Sequence, residues 1–136
     1  MSGYVILYHQ QRTPSADLTH WDLMLEKDGT LRTWKIYQEP EADQQLPAKL
    51  LPDHRIAYLQ YEGPISGDRG HVSQWDQGTF KGAVPADNEP FTVQLQGRIF
   101  CGTLTLQPPT ANNKDWQVKF PGLTKTNDSP PDRTNQ

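Results

Sequence analysis

The stretch from His20 to Glu26 constrains the fold more than any other, because an apolar set, Trp21, Leu23 and Leu25, alternates strictly with His20, Asp22, Met24 and Glu26. An extended strand turns successive side chains to opposite faces, so one face can pack on a core while the other stays polar. The face for the core carries Trp21, Leu23 and Leu25. Lys27-Asp28-Gly29-Thr30 follows and is predicted to be a hairpin turn with Asp-Gly as its central pair, so residues 31–36 are predicted to return as a second strand.

The rest of the chain favours more short strands of this kind. Only 34% of the 136 residues are hydrophobic, and 12 Pro and 10 Gly interrupt the sequence too often for long helices. We expect an all-β protein, a small antiparallel β-barrel of about seven to nine strands with long loops and at most one short helix. Residues 1–123 form the predicted domain, and the polar residues 124–136 are predicted to be a disordered tail.

Several local assignments follow from the same patterns. Residues 38–52 contain three prolines, which predicts an irregular connection with a helical turn or two at most. Ile56–Tyr61 is predicted to be a strand, and residues 71–81 are predicted to be two strands joined by a turn at Asp76–Gly78. Cys101 lies in an apolar segment, which predicts an inert core residue.

Charge and cysteine content exclude some classes of protein. The formal charge is −3, whereas strong nucleic-acid binders usually carry a basic excess, so any contact with DNA or RNA must be local. A single cysteine excludes an internal disulfide framework and fits a reducing compartment. No apolar run has the length of a membrane span, so we expect a cytoplasmic protein without membrane contact.

His20 and Asp22 form the strongest candidate site in the sequence. They are two residues apart on the polar face of the predicted strand, and imidazole and carboxylate can both bind a metal ion at about 2 Å. His9, at the exit of the predicted first strand, is the candidate third ligand of a site with two histidines and one carboxylate. From spacing alone, a solvated strand face without a metal is the stronger interpretation of His20 and Asp22.

A second group of candidates follows at His54, Tyr58 and Arg69. His54 could act as a general acid or contact a phosphate, and Tyr58 would share its face if both lie on one strand. From the residues alone, a surface turn for His54 and a position at the core edge for Tyr58 are the stronger interpretations. Arg69, in the turn cluster 66–70, could donate to an anion, and ordinary turn chemistry explains that cluster as well.

The order of these residues resembles the 3′-phosphoesterase domain of bacterial DNA ligase D, as a divergent stand-alone member. The similarity covers roughly residues 4–120 and lies in the combination of motifs. The matching pieces are Tyr4-Val5-Ile6…His9, His20-Trp21-Asp22-Leu23-Met24-Leu25-Glu26…Asp28-Gly29, Leu31…Trp34, Asp53-His54…Tyr58…Tyr61-Glu62-Gly63, Trp75-Asp76…Gly78-Thr79-Phe80 and Gly102-Thr103-Leu104.

The resemblance implies a small β-barrel with a metal-dependent site that removes 3′-phosphates and 3′-ribonucleotides from DNA ends during repair. The metal it implies is manganese, with zinc as the other candidate. Carried over residue by residue, His9, His20 and Asp22 would bind the metal. His54 and Tyr58 would contact the scissile phosphate, with His54 moving protons or stabilising charge.

This sequence departs from the family pattern at positions tied to activity. Met24 stands in place of an arginine that clamps phosphate, Leu7 in place of a glutamine and Gln38 in place of a lysine. The family also has an arginine near the position of Leu46. Loss of such a clamp lowers the rate of phosphoryl transfer, which depends on opposing charge on the phosphoryl oxygens. The cations available to replace it are Arg32, Lys35, Arg55 and Arg69.

The sequence therefore leaves open whether the protein is an enzyme. One hypothesis is an active metallophosphoesterase on a DNA 3′ end or another phosphoester. The alternative is a catalytically impaired metal-binding barrel that binds nucleic-acid ends or a DNA-repair protein. An iron oxygenase, which also uses a His-x-Asp pair on a barrel strand, fits the early His9 poorly. We expect a monomer in either case.

Overall fold

Short strands joined mostly by turns pair with their neighbours in a computed structural model, which describes residues 2–125. Within this range there are nine strands, and every pairing between them is antiparallel. They are β1 (Ser2–Gln10), β2 (His20–Lys27), β3 (Thr30–Ile36), β4 (Gln45–Arg55), β5 (Gly63–Pro64), β6 (His71–Lys81), β7 (Phe91–Gly97), β8 (Cys101–Gln107) and β9 (Trp116–Lys119).

Eight of these strands close into a barrel in the order β1-β2-β3-β4-β9-β8-β7-β6, and the pairing of β6 with β1 completes the ring. The two-residue strand β5 pairs with the first two residues of β6, His71 and Val72. Closure removes the unpaired strand edges that invite aggregation. The prediction of an all-β antiparallel barrel is confirmed.

The inside of the barrel is filled by one apolar cluster to which all eight ring strands contribute. Because side chains alternate along each strand, this cluster takes every second residue. Its members include Tyr4, Ile6, Leu23, Leu25, Trp34, Ile36, Leu46, Ala48, Phe80, Val93, Leu95, Leu104, Leu106, Trp116 and Val118. The prediction that Leu23 and Leu25 face the core is confirmed.

A second, smaller apolar cluster lies on the opposite face of β1, β2, β3 and β6, outside the barrel. It contains Val5, Leu7, Met24, Leu31 and Val72. The segment 56–65 packs over it through partly buried apolar side chains. This cover gives the outer face of four strands a buried environment that the opposite side of the barrel does not have.

The prediction for residues 38–52 was wrong, since strand β4 occupies Gln45–Arg55. A proline cannot donate to a sheet ladder, but it is tolerated where one flank of a strand is unpaired. Pro47 pairs with β9 only, because β3 joins β4 from Ala48 onward. Pro52 lies at the irregularity where the register between β3 and β4 shifts. Both prolines therefore fit into the strand.

The predicted strand at Ile56–Tyr61 was also wrong. Ile56–Leu59 forms a short 3₁₀ helix, which turns the chain out of β4 and across the outer face of the barrel. Tyr58 and Leu59 gain burial there by packing on the second cluster. These residues are apolar because they pack on the cluster after the chain has turned. A sequence pattern of apolar residues does not distinguish this packing from that of a strand.

Residues 71–81 form one continuous strand instead of the predicted pair. Gly78 lies mid-strand, where a Cβ atom would come 2.2 Å from the carbonyl oxygen of Gln96. The glycine therefore permits close approach of two strands and does not make a turn. Cys101 is exposed, contrary to the core position predicted for it, because Leu104 and Leu106 set the inward parity of β8.

The end of the described chain still contacts the barrel. The backbone N–H of Thr124 donates to the carbonyl of Ile99, and its hydroxyl donates to the carbonyl of Gly97. The rest of the predicted tail, residues 126–136, lies outside the described residues. Among residues 2–125, no helix has the length and apolar character needed to cross a lipid bilayer.

Candidate metal centre and adjoining cleft

The register of β1 against β2 brings the three predicted metal ligands together. His9 is paired with His20, and Leu7 is paired with Asp22. Directly opposed residues in an antiparallel pair point to the same face, and here that is the outer face beside the second cluster. One ligand atom from each of His9, His20 and Asp22 lies within 4.8 Å of the other two.

Both imidazoles are oriented by backbone carbonyl groups. His20 Nδ1 lies 2.8 Å from the carbonyl oxygen of Leu18, and His9 Nε2 lies 2.6 Å from that of Arg69. A carbonyl only accepts, so each of these nitrogens carries the proton of a neutral ring. The other nitrogen of each ring then presents a lone pair. This arrangement, with the outer N–H held by a carbonyl, is usual for histidines that bind metal ions.

The two lone pairs face the two oxygens of one carboxylate. His20 Nε2 lies 3.2 Å from Asp22 Oδ1, and His9 Nδ1 lies 3.6 Å from Asp22 Oδ2. Asp22 is only 4% exposed, and among the described residues Oδ1 has no hydrogen-bond donor. A neutral His20 cannot supply one, because its proton is on Nδ1. Buried acceptors that face each other without a donor call for a cation between them.

The pKa directions agree with this arrangement. Burial acts to raise the pKa of Asp22, but the N–H donors and positive charge that the rings of His20 and His9 supply when protonated outweigh it, so the pKa lies below its usual value. The carboxylate of Asp22 raises the pKa of His9, with burial opposing and the carbonyl of Arg69 adding to the rise. Asp22 is therefore ionised at neutral pH. Two imidazole nitrogens and one ionised carboxylate are a donor set that fits a divalent ion such as Mn²⁺ or Zn²⁺.

His54 and Tyr58 lie in the same cleft as the three ligands. The cleft has a volume of about 270 Å³. The two rings are 5.7 Å apart between centroids and nearly perpendicular. His54 is the last residue but one of β4 and Tyr58 belongs to the following 3₁₀ helix, so the two side chains lie side by side without sharing a strand. His54 Nδ1 donates to the carbonyl of Pro52, which leaves Nε2 as its acceptor.

Two cations line this cleft. Lys35 is paired with Asp22 across β2 and β3, so it points to the same outer face. Arg69 lines the opposite part, where its guanidinium donates to Ser66. Within the described chain, neither forms an ion pair. The hairpin register at Asp28-Gly29 was the signal that could have placed Lys35, whereas no sequence pattern reveals the carbonyls of Leu18 and Arg69.

The other predicted contacts lie elsewhere. Arg32 faces the interior end of the barrel, where it donates to the carbonyls of Pro85 and Ala86 and to Asn88, so the structure does not bring it to the cleft. Arg55 lines a neighbouring cleft. Leu46 is inside the barrel and Gln38 is exposed, so neither side chain lines the cleft. The cleft floor includes Leu7 and Met24.

The chain is similar to known proteins over most of this fold. Residues 9–108 match the model of the DNA ligase D 3′-phosphoesterase domain. The "Multifunctional non-homologous end joining protein LigD" of Pseudomonas aeruginosa is 34% identical over 70 residues, which cover 48% of this chain and 8% of that protein. Its namesake in Mycobacterium bovis is 33% identical over 82 residues, 57% of this chain and 10% of that protein. The chain thus spans about a tenth of the length of these relatives.

Proposed function

The chain belongs to the DNA ligase D 3′-phosphoesterase domain family, and from this membership and the geometry of the cleft we propose that it is a metal-dependent phosphoesterase. Its proposed substrate is a DNA 3′ end that carries a phosphate or a ribonucleotide, and its proposed role is in DNA repair. Family membership also weighs against the iron oxygenase hypothesis.

The observation that carries the proposal is the cluster of His9, His20 and Asp22. Each imidazole donates a hydrogen bond through one N–H to a backbone carbonyl, and both lone pairs face a buried carboxylate whose Oδ1 has no donor within residues 2–125. These three side chains would hold the metal ion, with manganese as the first candidate and zinc as the second. When bound, such an ion polarises a phosphoryl oxygen and opposes the charge that develops on it.

His54 and Tyr58 supply the groups for proton movement. Nε2 of His54 is an unprotonated acceptor in the neutral ring and can take or return a proton at the attacking or departing oxygen. The hydroxyl of Tyr58 can donate to a non-bridging phosphoryl oxygen. The perpendicular packing of the two rings fixes their relative position, as preorganised catalysis requires.

Lys35 and Arg69 are the proposed phosphate contacts of the cleft. Both line it and neither is neutralised by an ion pair within residues 2–125. The family arginine at the position of Met24 would extend from the strand beside Lys35, because Met24 is paired with Thr33 and Asp22 with Lys35. We infer that Lys35 provides positive charge one strand away from the position where the family has it.

The second candidate function is a metal-holding barrel that binds nucleic-acid ends or a repair protein without catalysis. The apolar floor at Leu7 and Met24 favours it, because the family has polar or cationic groups there. A lysine on a flexible stem also opposes charge less specifically than a bidentate arginine.

Two measurements test the proposal. Metal binding is measured by calorimetry with Mn²⁺ and Zn²⁺, and hydrolysis is measured on a primer ending in a 3′-phosphate or a single 3′-ribonucleotide. We expect one ion to bind per chain and the removal of the 3′ group (trimming) to require this ion. His20→Ala should lose both metal binding and trimming. His71→Ala is the matched control, since His71 is exposed and outside the cleft. Metal binding without trimming would favour the second candidate, and unchanged metal binding in His20→Ala would refute both.

A further inference from the structure

A second cleft opens next to the one that holds the candidate metal centre. It has a volume of about 300 Å³ and lies between the 3₁₀ helix and strand β5. Its walls are the rings of Tyr58 and Tyr61 and the apolar side chains of Pro64 and Ile65, with Arg55 at one side. None of these groups has a role in holding the metal ion, and the proposed reaction uses only Tyr58.

The two clefts share a wall. Tyr58 and Ile65 line both of them. Tyr58 packs against His54 on one side, and against Tyr61 on the other at 5.7 Å and an angle of 81°. The rings of His54, Tyr58 and Tyr61 thus form a row from the cleft with the candidate metal centre into the second cleft. A molecule with its phosphate beside His54 would extend its next planar group toward Tyr61.

The ring of Tyr61 is held in place. Its hydroxyl donates to the carbonyl of Pro64 at 2.5 Å, and Pro64 directly follows Gly63. Gly63 has a φ of +143°, and a Cβ there would lie 3.0 Å from the Tyr61 hydroxyl. A residue other than glycine would therefore strain the backbone there and displace the ring. A fixed aromatic ring loses little conformational entropy when a ligand stacks on it.

From these observations we propose that the second cleft binds the nucleobase of the strand's 3′-terminal nucleotide, the one that carries the scissile phosphate. A planar base that stacks on one of two perpendicular rings meets the other ring edge-on, which is a favourable aromatic geometry. Stacking accepts any base, because every base has a π-face. Arg55 forms no ion pair in the described chain and can contact the phosphate of the adjoining nucleotide. This assignment rests on the proposed function for its orientation, since it takes the phosphate to lie beside His54.

The test uses binding without catalysis. The probe is a single-stranded oligonucleotide with a 3′-phosphate and with 2-aminopurine at its 3′-terminal nucleotide. Stacking quenches the fluorescence of 2-aminopurine. The protein is titrated into this oligonucleotide in the presence of EDTA. We expect quenching at the terminal position and little when the probe is placed six nucleotides upstream. Tyr61→Leu should weaken binding by about 5-fold to 100-fold, the range for loss of one base–aromatic stack. Tyr61→Phe, which keeps the ring, should bind within about 3-fold of the natural protein.

Equal quenching at both probe positions, or unchanged affinity in Tyr61→Leu, would overturn the assignment. A 2-aminopurine mononucleotide that binds as tightly as the oligonucleotide would also overturn it, because the site would then take free nucleotides. The thermal unfolding of Tyr61→Leu is measured in parallel. If that variant does not fold, Gly63→Ala replaces it, with the same expected loss of quenching.

The outcomes separate this inference from the proposed function. Terminal quenching that depends on Tyr61, in a protein that trims nothing when Mn²⁺ is added, supports the base site and refutes the phosphoesterase activity. Trimming with Mn²⁺ that is equally fast on a terminal abasic nucleotide carrying the 3′-phosphate supports the activity and refutes the base site.

Discussion

The two faces of strand β2 are equally buried but built differently. Leu23 and Leu25 on the inner face are 0% exposed, and Asp22 and Met24 on the outer face are 4% and 1% exposed. The inner face is enclosed by a closed ring of strands that contributes apolar side chains from all eight. The outer face is covered by the segment 56–65, which leaves a cleft beside His20 and Asp22.

The difference shows where a buried charged group can remain accessible to a ligand. Leu23 has the apolar residues Ile6 and Trp34 as cross-strand partners, so an unpaired charge at this position would cost several kcal/mol. The charged side chains that do lie inside the ring, Asp76 and Arg32, are held by hydrogen bonds. Beneath the covering segment, His9, His20 and Asp22 retain access to a cleft and to backbone carbonyls. The outer face can therefore hold an ionised carboxylate at the same degree of burial.

The largest expected effect is on metal binding at the outer face. Asp22→Asn keeps the side-chain shape but removes the charge that faces both imidazole lone pairs. We expect Mn²⁺ affinity to fall by more than about 100-fold, beyond the 10–100-fold typical of changes to groups that only orient a ligand. Calorimetric titration measures this, and circular dichroism checks that the variant is folded. Metal binding that survived in Asp22→Asn would show that the outer face carries no such centre.

The next effect compares an arginine on each face. Leu23→Arg places a guanidinium inside the closed ring, so we expect a loss of more than about 4 kcal/mol in the free energy of unfolding. Met24→Arg places it toward the cleft, where it reaches water and Asp22, and we expect a loss of only about 1–2 kcal/mol. Urea denaturation measures both.

Met24→Arg also tests the missing phosphate clamp. Because it restores the family arginine beside Lys35, we expect trimming of a 3′-phosphate to become faster by about 10-fold or more. Similar destabilisation by both arginines would remove the distinction between the two faces.

A smaller effect is expected from the cleft lysine. Lys35→Gln should lower kcat/KM for a 3′-phosphorylated primer by about 10-fold to 100-fold, because one cation that opposes phosphoryl charge is lost. Lys49→Gln is its control: Lys49 is paired with Lys35 and shares its face but does not line the cleft. The comparison fails if both variants lose the same activity.

The smallest expected effect is on the salt dependence of binding. Lys35, Arg55 and Arg69 line the two clefts although the net charge is −3. If all three neutralise phosphates of a single strand, the slope of log K against log salt should be about −2, at about −0.7 per contact. Arg55→Gln should reduce the slope by about 0.7. Lys27→Gln should not change it, since Lys27 is paired with Asp28 away from the clefts.

Part of this structure could be predicted from local pattern. The alternation at Trp21, Leu23 and Leu25 and the Asp28-Gly29 turn predicted the central hairpin, because a strand in a half-buried sheet repeats every two residues. The same periodicity predicted that His20 and Asp22 share a face. It could not predict strand β4, because whether a proline fits depends on which flank of the strand is unpaired. Nor could it distinguish a strand from the 3₁₀ helix at Ile56–Leu59, since both bury apolar side chains.

By itself, the sequence determined the barrel class and the identity of the polar groups on the outer face, since both follow from local periodicity and turn chemistry. Only the tertiary structure decided that His9 lies opposite His20, that carbonyls of Leu18 and Arg69 orient both rings, and that Lys35 faces the cleft while Arg32 does not. Those relations depend on strand register and on the path of the covering segment. Both are set by contacts between residues far apart in the chain, which local patterns do not encode.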